Sequence, residues 1–118
     1  MRATCGKRGQ AFLKDLLLAL DSLPEKKLIA DELEYQGEYC AIGALARMRS
    51  MDVSRIDPED TCLLAQKFNI PDALCQEVVF MNDEAWGAQT PEERWKTMRA
   101  WVVEQIIPPQ VSPTEPKI

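Results

Sequence analysis

Cys40 is the side chain in this sequence best placed to act as a nucleophile. It stands directly ahead of Ala41-Ile42-Gly43-Ala44-Leu45-Ala46, a small apolar segment that reads as a short helix, and N–H groups at a helix N-terminus stabilise a thiolate. A thiolate mechanism also needs a base, and the 118 residues include no histidine. That absence removes Ser-His and Cys-His pairs, imidazole general bases and every His-containing metal site together. Glu38, two positions before Cys40, would raise the thiol pKa rather than lower it. Cys40 therefore reads as a buried structural cysteine, with a small cysteine-dependent enzyme as the competing reading. Cys62 and Cys75 are expected on apolar helix faces.

The remaining chemistry-bearing residues form no recognisable site. Cys5, Cys40, Cys62 and Cys75 are separated by 35, 22 and 13 positions with no Cys-x-x-Cys pair, which disfavours a zinc knuckle. Asn82-Asp83-Glu84 offers carboxylates, but a divalent cation needs ligands converging from several elements. A helix exit at Asn82 followed by a solvated turn explains the three residues more simply. Five glycines form neither a phosphate loop nor a dinucleotide fingerprint. No metal, cofactor or catalytic residue is assigned.

Charge is more informative. The chain carries 14 Lys and Arg against 19 Asp and Glu, a net of −5, which disfavours general attraction to nucleic acid or anionic lipid. Residues 57–93 hold nine acids against Lys67 alone, a net of −8, so the remainder of the chain is +3. Helix N-termini account for Asp57, Glu59, Glu92 and Glu93. Asp60, Asp72, Glu77, Asp83 and Glu84 are left as an acidic face, which suits a basic partner surface as well as it suits solvent.

The elements that must position these residues follow from periodicity and caps. Phe12, Leu13, Leu16, Leu17, Leu20 and Leu23 recur at three- and four-residue spacing, predicting a first helix over about residues 9–22, closed by Pro24. Leu28 to Tyr35 and Glu38 to Cys40 flank Gln36-Gly37, the signal of a small hairpin near residues 28–40. The small residues 41–46 suit close approach by another helix and end on Arg47 and Arg49, which complement a helix dipole. Asp57-Pro58-Glu59-Asp60 predicts a helix from Asp57 to about Phe68. Pro71 starts another, with Leu74, Cys75, Val78, Val79 and Met81 inward. Thr90-Pro91-Glu92-Glu93 is a capping box opening a long helix through Trp95, Met98, Trp101, Val102 and Ile106.

The predicted fold is mainly α: a compact bundle of about five short helices with one small hairpin. Residues 1–107 form a single domain, and residues 108–118, with four prolines, an extended tail. No apolar signal-peptide core or membrane-length run occurs, so the chain reads as cytoplasmic, with reduced thiols.

Leu64 to Val78 has the spacing of a helix-turn-helix, with small Ala65 at the helix crossing and Asn69 able to take a left-handed turn conformation. Its second helix would expose Asp72, Gln76 and Glu77, and no Lys or Arg falls between Lys67 and Arg94. An acidic recognition helix repels DNA. A helix-turn-helix regulator is therefore the alternative reading, with phosphate contacts from Arg47, Arg49 and Arg55 or from Arg2, Lys7 and Arg8. Trp86, in a loop rich in acids, is either folded over the core or an interface anchor.

Taken together, Leu28-Ile29-Ala30, Cys40-Ala41-Ile42-Gly43-Ala44-Leu45, Asn82-Asp83-Glu84 and Thr90-Pro91-Glu92-Glu93-Arg94-Trp95 through Trp101-Val102 resemble a group of short, functionally unassigned proteins of bacteriophages, prophages and related bacterial elements. The resemblance spans about residues 12–107 and implies no established activity and no catalytic residues. It implies a setting, since small accessory proteins of mobile elements often bind host proteins, host-defence complexes included. The expectation is a non-enzymatic accessory protein of the host cytoplasm, extending to an anti-CRISPR-like inhibitor of a defence nuclease. Asp72, Glu77, Asp83, Glu84 and Trp86 would meet a basic host surface such as a nucleic-acid groove. The oligomeric state stays open.

Overall fold

The first helix forms because six of its residues can be buried along one stripe. In the computed structural model, which describes residues 6–85, 87 and 89–107, α1 spans Lys7–Ser22 and buries Gly9, Phe12, Leu13, Leu16, Ala19 and Leu20. Its last carbonyls, which have no partner within a helix, are met by side chains. Ser22 Oγ donates to Ala19 O, Trp95 Nε1 to Leu20 O, and Lys26 Nζ to both Asp21 O and Leu23 O. Leu23 leaves the helix in an extended conformation ahead of Pro24.

The hairpin is smaller than the alternation of residues 28–40 suggests. Only β1 (Glu34–Tyr35) and β2 (Glu38–Tyr39) pair, antiparallel, with Glu34 opposite Tyr39 and Tyr35 opposite Glu38. Gln36 and Gly37 both take positive φ, 51° and 80°, the turn geometry that matches strand twist. Upstream, Asp31 at φ 67° breaks the extended run. Residues Leu28–Ile29 become a tether instead, with Leu28 N donating to Pro91 O and Ile29 N to Tyr39 O.

Helix α2 (Ala41–Met48) buries Ala41, Ile42, Gly43, Ala44, Leu45 and Ala46, the signature of a helix surrounded by core. The expectation that these small residues admit another helix is met by α1, which packs against α2, and at Gly43 a loop approaches as well. A Cβ on Gly43 would lie 1.8 Å from the Leu33 carbonyl oxygen. That same oxygen accepts from Cys40 N at 3.2 Å, so the hairpin entry is pinned against the start of α2.

Helix α3 is Thr61–Phe68, shorter than the predicted helix from Asp57. Asp57 does not cap it. Its Oδ1 accepts from Glu59 N and its carbonyl from Asp60 N, a local turn that competes with helix formation. Asp60 takes the cap position and accepts from Leu63 N at 3.1 Å. Helix α4 follows as Asp72–Asp83, and α5 as Pro91–Gln105 with the expected Thr90–Glu93 capping box. Val79 and Met81, expected inward on α4, are only half-buried. Met98, Trp101 and Val102 carry α5 into the core, where Phe12 and Phe68 meet edge to face at 6.3 Å. Residues 108–118, expected as an extended tail, lie outside the described residues.

Candidate functional site

Helices α3 and α4 form the helix-turn-helix read from the sequence. Asn69 adopts φ 57°, ψ 50°, a left-handed cap that Asn tolerates, and Ile70 N returns to Ala65 O at 3.0 Å. Ala65, Ile70, Leu74, Cys75 and Val78 are buried, which fixes the second helix with its opposite side in solvent. There Asp72, Ala73, Gln76, Phe80 and Glu84 are exposed. At about 100° per residue, Gln76, Phe80 and Ala73 run along the middle of this face. Asp72 and Asp83 lie on one margin and Glu77 and Glu84 on the other.

The acids named from the sequence are not equivalent. Asp72 is exposed and accepts from Gln76 Nε2 at 2.8 Å. Glu84 is exposed and Glu77 half-buried. Asp83 is half-buried, accepts from Asn82 Nδ2 at 2.6 Å and receives the Asp31 backbone N–H. Burial raises its pKa above the ordinary carboxylate value, against these hydrogen bonds and the nearby Arg94 charge, which lower it. Trp86 lies outside the described residues. Phe80, 50% exposed, escaped the sequence reading, although it is four residues from both Gln76 and Glu84 and so shares their face.

The expected helix exit falls within one residue, α4 ending at Asp83 ahead of a turn with Glu84 exposed, but Asn82 itself is not solvated. It lies within α4 and is 3% exposed, at the centre of a polar junction. Its Oδ1 accepts from Ala41 N at 3.1 Å, and its Nδ2 donates to Ile29 O at 2.9 Å. Its own carbonyl accepts from Arg94 Nε at 2.9 Å, while Arg94 Nη1 donates to Leu28 O at 3.3 Å. One side chain thus satisfies the first N–H of α2 and the Ile29 carbonyl of the tether, and Arg94 joins α5 to the end of α4 and to Leu28 of that tether. The sequence signal is an Asn at the position where helical spacing from Leu74, Cys75 and Val78 demands a buried residue. A buried Asn must find partners.

Cys40 caps α2 through its sulfur, which accepts from Gly43 N at 3.4 Å. Burial pushes its thiol up to about 12, opposed by the Gly43 N–H. The acid that adds to the rise is Asp83, not the sequence neighbour Glu38. The cleft beside it, lined by Leu33, Ile42, Val79 and Asn82, holds about 10 Å³, room for no more than one water. At neutral pH the thiol stays protonated and packs as an apolar group. Cys75 is also buried, its thiol likewise raised to about 12. Cys62, expected on an apolar face, is exposed instead, because α3 buries Leu64, Ala65 and Phe68.

Three of the basic residues considered for DNA contact, Arg8, Arg47 and Arg49, make contacts within the fold. Arg8 Nη1 donates to Asn69 Oδ1 at 2.9 Å, and Arg49 Nη2 to Asp15 Oδ2 at 2.6 Å. Arg47 lies over the Tyr39 ring and Arg49 over Phe68. Lys7 and Arg55 are exposed, and Arg2 lies outside the described residues. Among the described residues, no group of three or more cysteine or acidic side chains is placed to hold a metal ion. None of the described helices is long and apolar enough to cross a membrane. Compared with known proteins, the chain matches no protein-family model, no curated protein and no solved structure.

Proposed function

We propose that this is a non-enzymatic accessory protein of a phage or mobile element, acting in the host cytoplasm by binding a host protein through the outer face of α4. The observation that carries the reading is the character of that face. A helix in the recognition position of a helix-turn-helix presents Asp72, Gln76, Phe80 and Glu84 to solvent and carries no Lys or Arg. Such a face repels DNA and complements a basic protein surface. Phe80 supplies an aromatic group of the kind that anchors interfaces, and Trp86 follows two residues beyond Glu84. The surface complementary to both charge and ring is a nucleic-acid groove, which makes inhibition of a host-defence nuclease complex, in the manner of an anti-CRISPR, the most specific form of the proposal. The phage setting comes from the resemblance of the four sequence segments.

The competing readings lose support at particular residues. A regulator needs cations on its recognition helix, and α4 has none, while Arg49 is paired with Asp15. A cysteine enzyme needs a thiolate, and burial holds Cys40 protonated. The test is capture from bacterial host lysate with identification by mass spectrometry, comparing the wild type with a Asp72→Lys, Glu77→Lys, Glu84→Lys variant and with Phe80→Ala. The proposal expects a host nucleic-acid-binding protein that both variants lose while their circular dichroism is unchanged. Retention of the same partner by both variants overturns the assignment of the face. Specific retention of a duplex under competitor DNA in a low-salt gel shift would favour a regulator instead.

A further inference from the structure

Helix α5 carries a few apolar residues on the side away from the core. Ala100 and Val103, three residues apart, are exposed on its outer side, Val103 to 45%, and Ile107, just past the end of the helix, is 48% exposed. Neighbouring α1 runs antiparallel, fixed by Asp21 against Arg99 at one end and Gln10 against Gln105 and Ile107 at the other. This register sets Leu18, 60% exposed and opposite the buried stripe of α1, level with Ala100. The exposed strip is therefore short, Ala100 and Val103 on α5 with Leu18 on α1, and the Asp21–Arg99 ion pair joins the two helices.

The charges beside the strip indicate its occupant. Lys96 and Glu104 are both exposed and lie four residues on either side of Ala100. Among the described residues, neither meets an oppositely charged group in its own chain. If a second α5 crosses antiparallel at Ala100, a two-fold axis through that residue brings each Lys96 against the other copy's Glu104. Both pairs form at once, as a self-complementary interface requires. Ala100 at the crossing lets the helices approach closely, and Val103 and Leu18 fill the flanks. We infer that the outer face of α1 and α5 joins two copies of this chain in a symmetric dimer. This surface is separate from the α4 face, so the dimer would display two α4 faces.

Sedimentation velocity over a range of concentrations tests this with Lys96→Glu, Glu104→Lys and the double variant. All the changed positions are exposed, and circular dichroism checks that each variant folds. The wild type should self-associate, and each single reversal should weaken the dimer by about tenfold or more, because like charges then meet twice. The double variant should recover the dimer. An equimolar mixture of the two single variants should also recover it, as a heterodimer in which both pairs are opposite in sign. A wild type that stays monomeric throughout overturns the inference. So does a dimer indifferent to the single reversals, or one that neither the double variant nor the mixture restores.

Discussion

The Asn82 side chain accepts the backbone N–H of Ala41 at 3.1 Å, so a residue near the end of α4 supplies a hydrogen bond to the N-terminus of α2, 41 positions away. The same carboxamide donates to Ile29 O. Three elements that share no sequence proximity are thereby fixed by one buried polar group, and such a group is costly to remove because its partners stay behind.

Replacing Asn82 with Ala leaves the Ala41 N–H and the Ile29 carbonyl without these partners in a buried setting. Each such loss costs about 1–3 kcal/mol, so the variant should be destabilised by roughly 2–4 kcal/mol in urea denaturation with an unchanged m-value. A loss below about 0.5 kcal/mol, within the range of an ordinary surface substitution, would show that the junction does not hold the fold.

Asp83 makes the opposite contribution to its neighbour. Its folded pKa is raised above the ordinary 3.8, so the folded state binds the proton more tightly than the unfolded state. Stability from this group is greatest at low pH and falls as pH rises through the raised value. Asp83→Asn should therefore gain stability relative to the wild type as pH increases from about 4 to 7. The check is the difference in Tm between the two proteins across that range; a difference that shrinks with rising pH contradicts the assigned sign.

Gly43→Ala should be among the most damaging single-methyl additions in the chain. Its new Cβ meets backbone rather than a movable side chain, at 1.8 Å from Leu33 O. Relief requires displacement of the hairpin entry, at a cost of about 3 kcal/mol or more. Gly37→Ala is the control, since nothing lies within 4 Å there and only the positive φ opposes it, a strain of about 1 kcal/mol. Thermal unfolding of the two variants should separate them clearly; equal losses would refute the close approach.

Thiol reactivity follows burial rather than position ahead of a helix. Among the described cysteines, Cys62 is exposed, whereas Cys40 and Cys75 are buried with thiols near 12. Brief alkylation at neutral pH followed by peptide mass mapping should modify Cys62 and spare the other two until denaturant is added. Preferential labelling of Cys40 in the folded protein would revive the enzyme reading.

Local patterns were legible wherever one residue type decides a backbone conformation. Asn69 in the left-handed region, the Thr90–Glu93 capping box and the Gln36-Gly37 turn all follow from short-range sterics and hydrogen bonding. The sequence by itself also determined which faces of α1 and α5 are buried, because hydrophobic spacing is a property of one helix, and it determined that α4 carries no cation. Choices between rival partners were not legible. Asp57 and Asp60 are both competent caps, and the local turn of Asp57 gave the position to Asp60. Asn82 reads as solvated at a helix exit, and the exit is there, but Ala41 and Ile29 arrive from distant elements to bury and satisfy the side chain. Asp83 looks like one more surface acid until the tether containing Asp31 covers it. Those outcomes depend on desolvation and on hydrogen-bond partners from elsewhere in the chain, which come into being only when the helices pack.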